Sequence, residues 1–273
     1  MSFDALGPGG LDYLPCRYGA SKILFRGPKR SMDAPFVAFF GGTTTYGKFI
    51  QTPFPNLIEE RLGKTCINFG CMNGGIDIYA ADPVLREAAI NASVTVIQVT
   101  SPRNMSNRFY KVHPRRNDRL VEPSTLLRTI YREVDFAEFN FTNHMLQRLQ
   151  LVSPDRFQAV LDELRTAWLA RMRLVLSQIP GKTVLLWAGR SAPEPIAHEI
   201  DADPAFVTAQ MVADIADLVT ETVECVASEE AQEVGTDGMV FAELDAPAAQ
   251  TMLSPLAHRE IADALTPVLQ RLT

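Results

Sequence analysis

Residues 37–49, VAFFGGTTTYGKF, run from an apolar stretch through two glycines into three consecutive threonines. Glycines at such a point permit positive φ and close backbone approach. A helix beginning just after them aims its N–H groups at any anion in front. Thr43, Thr44 and Thr45 therefore admit three roles: capping the helix, contacting a ligand together with Gly42, or, for Thr43, attacking as a nucleophile. Three further segments carry polar groups in comparable places: Asn68–Gly75 (NFGCMNGG), Thr100–Asn104 (TSPRN), and the stretch leading into the last helix with His258. A nucleophile needs a base within hydrogen-bond reach and a third group to orient that base. The chain has four histidines to offer, His113, His144, His198 and His258. His113 lies among arginines, whose charge disfavours its protonation and leaves a neutral imidazole that can act as a base. His144 follows a cap-like threonine and reads as structural. His198 sits in a proline-rich loop. His258, inside an amphipathic helix, reads equally as a surface or packed side chain.

These residues must be positioned by alternating strands and helices. FVAFF (36–40), TCINFG (65–70), SVTVIQVT (93–100) and KTVLLWAG (182–189) are short apolar, β-branched runs bounded by turn residues, as in buried parallel strands. GMVFAEL (238–244) reads as a fifth. Helices are expected at 55–63, closed by Gly63, and at 82–92, opened by Asp-Pro. Two more are expected at 203–228, also opened by Asp-Pro, and at 254–272, with Ser254 as cap. The alternation predicts a three-layer, flavodoxin-like parallel sheet of about five strands, whose ligands bind beyond the carboxyl ends of the strands. Residues 101–181 are too long for a simple crossover. Their segments 125–134, 141–152 and 153–179 have helical periodicity, so a helical insertion or lid, and a possible homodimer surface, is expected there. Residues 1–33 read as an N-terminal arm and 34–273 as the α/β domain.

The bulk numbers are those of a globular chain. Of 273 residues, 47% are apolar and 21% charged, enough for a core without staples. The net charge of −6 opposes a general affinity for nucleic acid. No secretory leader and no bilayer-length apolar run is evident. The four cysteines lack metal-ligand spacing and read as reduced thiols, so a cytoplasmic location with no metal and no cofactor is the expectation.

GGTTTYG resembles the first block of the SGNH (GDSL-like) hydrolase family, Gly-Asp-Ser-x-Thr-x-Gly. NFGCMNGG and SPRN are similar to its second and third blocks, and SPLAHREIADAL to the helix after its Asp-x-x-His block. The match points to a divergent bacterial branch with degenerate catalytic blocks. It implies Thr43 at the nucleophile's place and Gly42 at that of the family's aspartate. Gly70 and Asn104 then fall at the oxyanion donors. Met252 and Ala249 occupy the places of the family's histidine and aspartate; a shifted register brings His258 to the histidine's role but sets Pro255 where the aspartate belongs.

A second feature is RNMSNRFYKVHPRRNDRL (103–120), where six basic residues face one acid, Asp118. Arginine forks suit phosphate, sulfate or carboxylate. Arg103, Arg115 and Arg116 are candidates to hold a substrate anion, with Phe109 and Tyr110 to stack on its ring. The combined expectation is ester hydrolysis or acyl transfer on an acylated or anionic saccharide-type substrate, with non-standard catalytic residues. The alternatives are a nucleotide-dependent sulfo- or phosphotransferase, with Lys48 near the phosphates, and a catalytically inactive module that binds anionic glycan or a partner.

Overall fold

The computed structural model describes residues 9–273. Strands β1 (Phe36–Phe40), β2 (Thr65–Asn68), β3 (Val94–Gln98), β6 (Lys182–Gly189) and β7 (Glu221–Val226) form a parallel sheet in the order β2-β1-β3-β6-β7. Strands β4 (Tyr110–His113) and β5 (Arg116–Pro123) form a separate antiparallel hairpin. The chain runs from β1 to β2 on one side, then returns across β1 to β3. The topological switch point therefore lies between β1 and β3.

Side chains alternate across each strand. On β1, Val37 and Phe39 enter one core with Val94, Val96, Val184 and Leu186, covered by the helices Phe54–Leu62 and Pro255–Leu272. Phe36, Ala38 and Phe40 enter the opposite core, covered by helix Pro83–Asn91 and the second half of helix Pro154–Ser177 through Trp168, Met172 and Leu176. This is the three-layer α/β arrangement expected from the sequence. The helix starts follow their caps: Asp82 accepts from the Val84 N–H, Ser153 from that of Arg156 and Ser254 from that of Ala257. Gly63 closes its helix at φ 62°, in the left-handed region.

The insertion after β3 has a core of its own. Phe109, Tyr110, Leu127, Tyr131, Met145, Leu149, Phe157, Leu161 and Phe206 pack together. The first half of helix Pro154–Ser177 belongs to this core and the second half to the sheet, so one rigid element joins the two. The insertion also carries the β4–β5 hairpin, which helical periodicity did not announce. In the N-terminal arm, Tyr18, Ile23 and Phe25 pack into the sheet core. Arg26 is buried there, its guanidinium donating to the carbonyls of Gly47, Ile50 (2.7 Å) and Gln51 (2.9 Å). The arm thus clamps the loop that follows the threonine turn.

Two expectations fail. The fifth sheet strand is Glu221–Val226, not 238–244, and it lies inside the segment read as the helix 203–228. Its burial alternates, with Val223 and Cys225 inward and Thr222, Glu224 and Val226 outward, as suits an edge strand covered on one face. Residues 238–244 instead cross to the loop after the threonine turn, where Val240 N–H donates to Phe49 O (2.8 Å) and Phe241 meets the Phe49 ring.

Candidate functional site

The loops after β1, β2 and β3 meet at the switch point, and they meet closely. A Cβ on Gly75 would lie 1.9 Å from the Asn104 carbonyl oxygen, and one on Gly70 would lie 2.3 Å from the Tyr46 amide nitrogen. Only glycine allows these approaches.

Asn73 is the hub. Its φ of 54° is left-handed, a region asparagine enters more readily than most residues. Its N–H donates to Thr43 Oγ1 (2.8 Å), and the Thr43 hydroxyl faces Asn73 Oδ1 (3.2 Å). Its side-chain amide donates to Asp118 on β5 (3.1 Å). Its carbonyl receives Asn104 Nδ2 (3.1 Å), and Asn104 Oδ1 in turn accepts from the Thr142 hydroxyl (3.2 Å). Two residues further, Gly75 N–H donates to the buried Asn117 (3.0 Å). Three strand-end loops and the insertion are thereby joined through hydroxyls, carboxamides and one carboxylate.

The expected site residues fall into three groups. Thr43, Asn104 and the Asn73 loop come together. Gly42 and Thr45 lie beside them, but both are tied to Gln98 Oε1, from the Gly42 N–H (3.2 Å) and the Thr45 hydroxyl (2.6 Å). Thr44 is buried in the same turn. Gly70 is there too, with its N–H donated to Asn68 Oδ1 (2.8 Å).

No imidazole is among the hydrogen-bond partners of Thr43 in the described residues. His258 is buried, stacks on Phe54 and accepts the Phe54 N–H on Nδ1 (3.2 Å). Burial and then the nearby Arg26 charge pull its pKa down to about 3. His113 sits in the hairpin, with Nδ1 accepting from Arg115 N–H (3.2 Å). His144 packs edge-on against Phe139, and His198 is exposed in the loop after β6. Where the resemblance would put an acid–base pair stand a buried Ala249 and Met252. Arg190 pins this stretch through the carbonyls of Gln250 (2.8 Å) and Met252 (3.1 Å).

Most of the basic run is engaged. Arg108 pairs with the buried Glu163 (2.6 Å), and Lys111 with Glu122 (2.7 Å). Arg103 is bound to the Ile200 carbonyl and faces Asn143 (3.4 Å). Arg115 is exposed, and Arg116 lies opposite His113 in the hairpin. Phe109 and Tyr110 do not offer rings to a ligand. Both are buried in the insertion core, and the Tyr110 hydroxyl donates to the Arg103 carbonyl (2.8 Å). Burial also drives the Tyr110 pKa far up. Sequence reasoning missed Asn73, Asn117 and Thr142. The Asn-Gly pair at 73–74 is a turn signal that pointed to the first.

Among the described residues no group of three or more His, Cys, Asp or Glu is placed to hold a metal ion, and the cysteines are free. No helix of the described residues is long and apolar enough to cross a membrane.

A family described as a domain of unknown function, DUF6473, matches residues 1–273. The chain belongs to this family. No curated protein matches it. Among solved structures it is similar to the lipase Lip_vut3 from a goat rumen metagenome, at 10% identity and a TM-score of 0.45, over 88% of this chain and 100% of that one.

Proposed function

We propose that the chain is an SGNH-like protein whose switch-point site binds an acylated or anionic saccharide-type ligand, without forming an acyl-enzyme on Thr43. The observation that carries this reading is the hydrogen bonding of Thr43. Its hydroxyl faces the Asn73 side-chain oxygen at 3.2 Å and receives the Asn73 N–H at 2.8 Å. A carboxamide has no useful basicity near neutral pH, so it orients the hydroxyl without deprotonating it. Hydroxyls and carboxamides held in fixed directions suit the alternating donors and acceptors of a sugar.

A second reading has one observation in its favour. Asp118 is one side chain away from Thr43, through Asn73 Nδ2 (3.1 Å). A carboxylate there can activate a water that attacks an ester directly.

Turnover of p-nitrophenyl acetate separates these readings. Simple binding predicts a rate at the buffer background for wild type. Direct hydrolysis predicts turnover that is lost in Asp118→Asn and kept in Thr43→Ala. Turnover with a pre-steady-state burst that Thr43→Ala abolishes would overturn both.

A further inference from the structure

We propose that Phe141 and Arg119 form a stacking platform for an acidic sugar ring at the edge of this site; the inference rests on the saccharide-type reading above. Phe141 is the one aromatic ring among the exposed large apolar side chains of the described residues, with 43% of its surface open. An exposed phenyl ring loses contact with water only when something covers it, so its position matters. Arg119 lies over the ring, 5.4 Å from guanidinium carbon to centroid, and the two residues pair across an isolated antiparallel bridge. The bridge is locked by Leu120 N–H donating to Asn140 O (3.0 Å).

Each member of the pair sits one residue from the Asn73 network. Arg119 follows Asp118, which accepts from Asn73. Phe141 precedes Thr142, whose hydroxyl faces Asn104 Oδ1 (3.2 Å) and the Asp118 carbonyl (3.3 Å). Each Cα of the pair therefore lies about 3.8 Å from the Cα of a network residue, Asp118 or Thr142.

The two side chains offer complementary chemistry. The phenyl face suits the C–H face of a pyranose, and the guanidinium suits a carboxylate or sulfate on the same ring. Arg103, Arg108 and Lys111 are held by the Ile200 carbonyl, Glu163 and Glu122, whereas Arg119 has its cation on the exposed ring. Arg115 is exposed, so Arg119 is set apart from the rest of the basic run by its exposed aromatic neighbour.

The test is isothermal titration of the full chain with a galacturonate hexamer and a heparin-derived hexasaccharide, with cellohexaose as the neutral control. The expected result is binding of at least one anionic hexamer in preference to cellohexaose. Phe141→Ala should weaken it about fivefold or more and Phe141→Tyr should retain it, since stacking is worth a factor of this order. Arg119→Gln should weaken binding and flatten its dependence on salt. Anionic-hexamer binding that is unchanged in both Phe141→Ala and Arg119→Gln overturns the platform and leaves the saccharide reading standing. Failure of wild type to bind either anionic hexamer overturns the anionic-saccharide half of that reading and the platform with it.

Discussion

His258 gives the sharpest quantitative test of which histidine does what. In the folded chain it is buried, neutral and held by the Phe54 N–H, with a pKa of about 3. In the unfolded chain it returns to about 6.5. A depressed histidine pKa means that the unfolded state binds the proton first, so stability is intact above pH 6.5 and is lost as pH falls from 6.5 toward 3. The slope is about 1.4 kcal/mol per pH unit inside that window, so moving from pH 7 to pH 4.5 removes about 2.5 kcal/mol through this one group. Asparagine at position 258 can present an oxygen where Nδ1 now accepts, yet it does not titrate. Urea unfolding of wild type and His258→Asn at pH 7 and 4.5 isolates the term as the difference of differences, because other titrating groups cancel. A gap of about 2.5 kcal/mol is expected. If the two proteins lose stability in parallel, or if the His258 ring resonances titrate near pH 6–7 in the folded protein, the buried assignment is wrong and a base role for this histidine reopens.

Two other perturbations probe the scaffold under the site. Arg26→Met should cost about 3 kcal/mol or more, because several buried carbonyls lose a charged donor together; thermal unfolding measures it, and a loss below about 1 kcal/mol would refute the clamp. Thr100→Val tests the one buried side-chain oxygen without a hydrogen-bond partner among the described residues. Valine removes the unpaired hydroxyl at nearly constant shape, so the melting temperature should hold or rise, and a fall of several degrees would show that the hydroxyl has a partner.

The central sheet was legible because β1, β3 and β6 are buried on both faces. FVAFF, VTVIQ and KTVLLWAG are therefore almost wholly apolar or β-branched, and turn residues bound them. β7 was not legible. An edge strand with one open face carries Glu221, Thr222 and Glu224, and behind an Asp-Pro pair that mixture matches an amphipathic helix just as well. The loops of the site could be placed, since they follow strands. Their wiring could not: Thr43 meets Asn73 thirty positions away, and Asp118 reaches Asn73 from a hairpin that left no periodic signal. Tyr110 misled for a related reason. An aromatic residue in a basic run looks like a ligand platform, but here the run is a strand and alternation turns the ring into the insertion core.

The oxyanion question turns on donors rather than on the nucleophile. A preorganised oxyanion hole needs N–H groups aimed at empty space where charge will develop. Here the Gly70 N–H donates to Asn68 Oδ1 (2.8 Å), and the same side chain donates to the Thr45 carbonyl (2.7 Å). Asn104 Nδ2 gives one of its two N–H groups to Asn73 O (3.1 Å), whereas Gly70 has a single N–H to give. A donor that must leave a good partner gains little from a developing oxyanion, because one hydrogen bond replaces another. Asn68→Ala separates the two roles. If the bonds hold the loop, the variant leaves the Gly70 N–H and Thr45 carbonyl unpaired and buried, costs about 2–4 kcal/mol in urea unfolding, and gains no esterase activity. If Gly70 is a masked oxyanion donor, freeing its N–H raises p-nitrophenyl acetate turnover in the folded fraction at low temperature. That rise would refute the structural role assigned to Asn68 and return the glycine to catalysis.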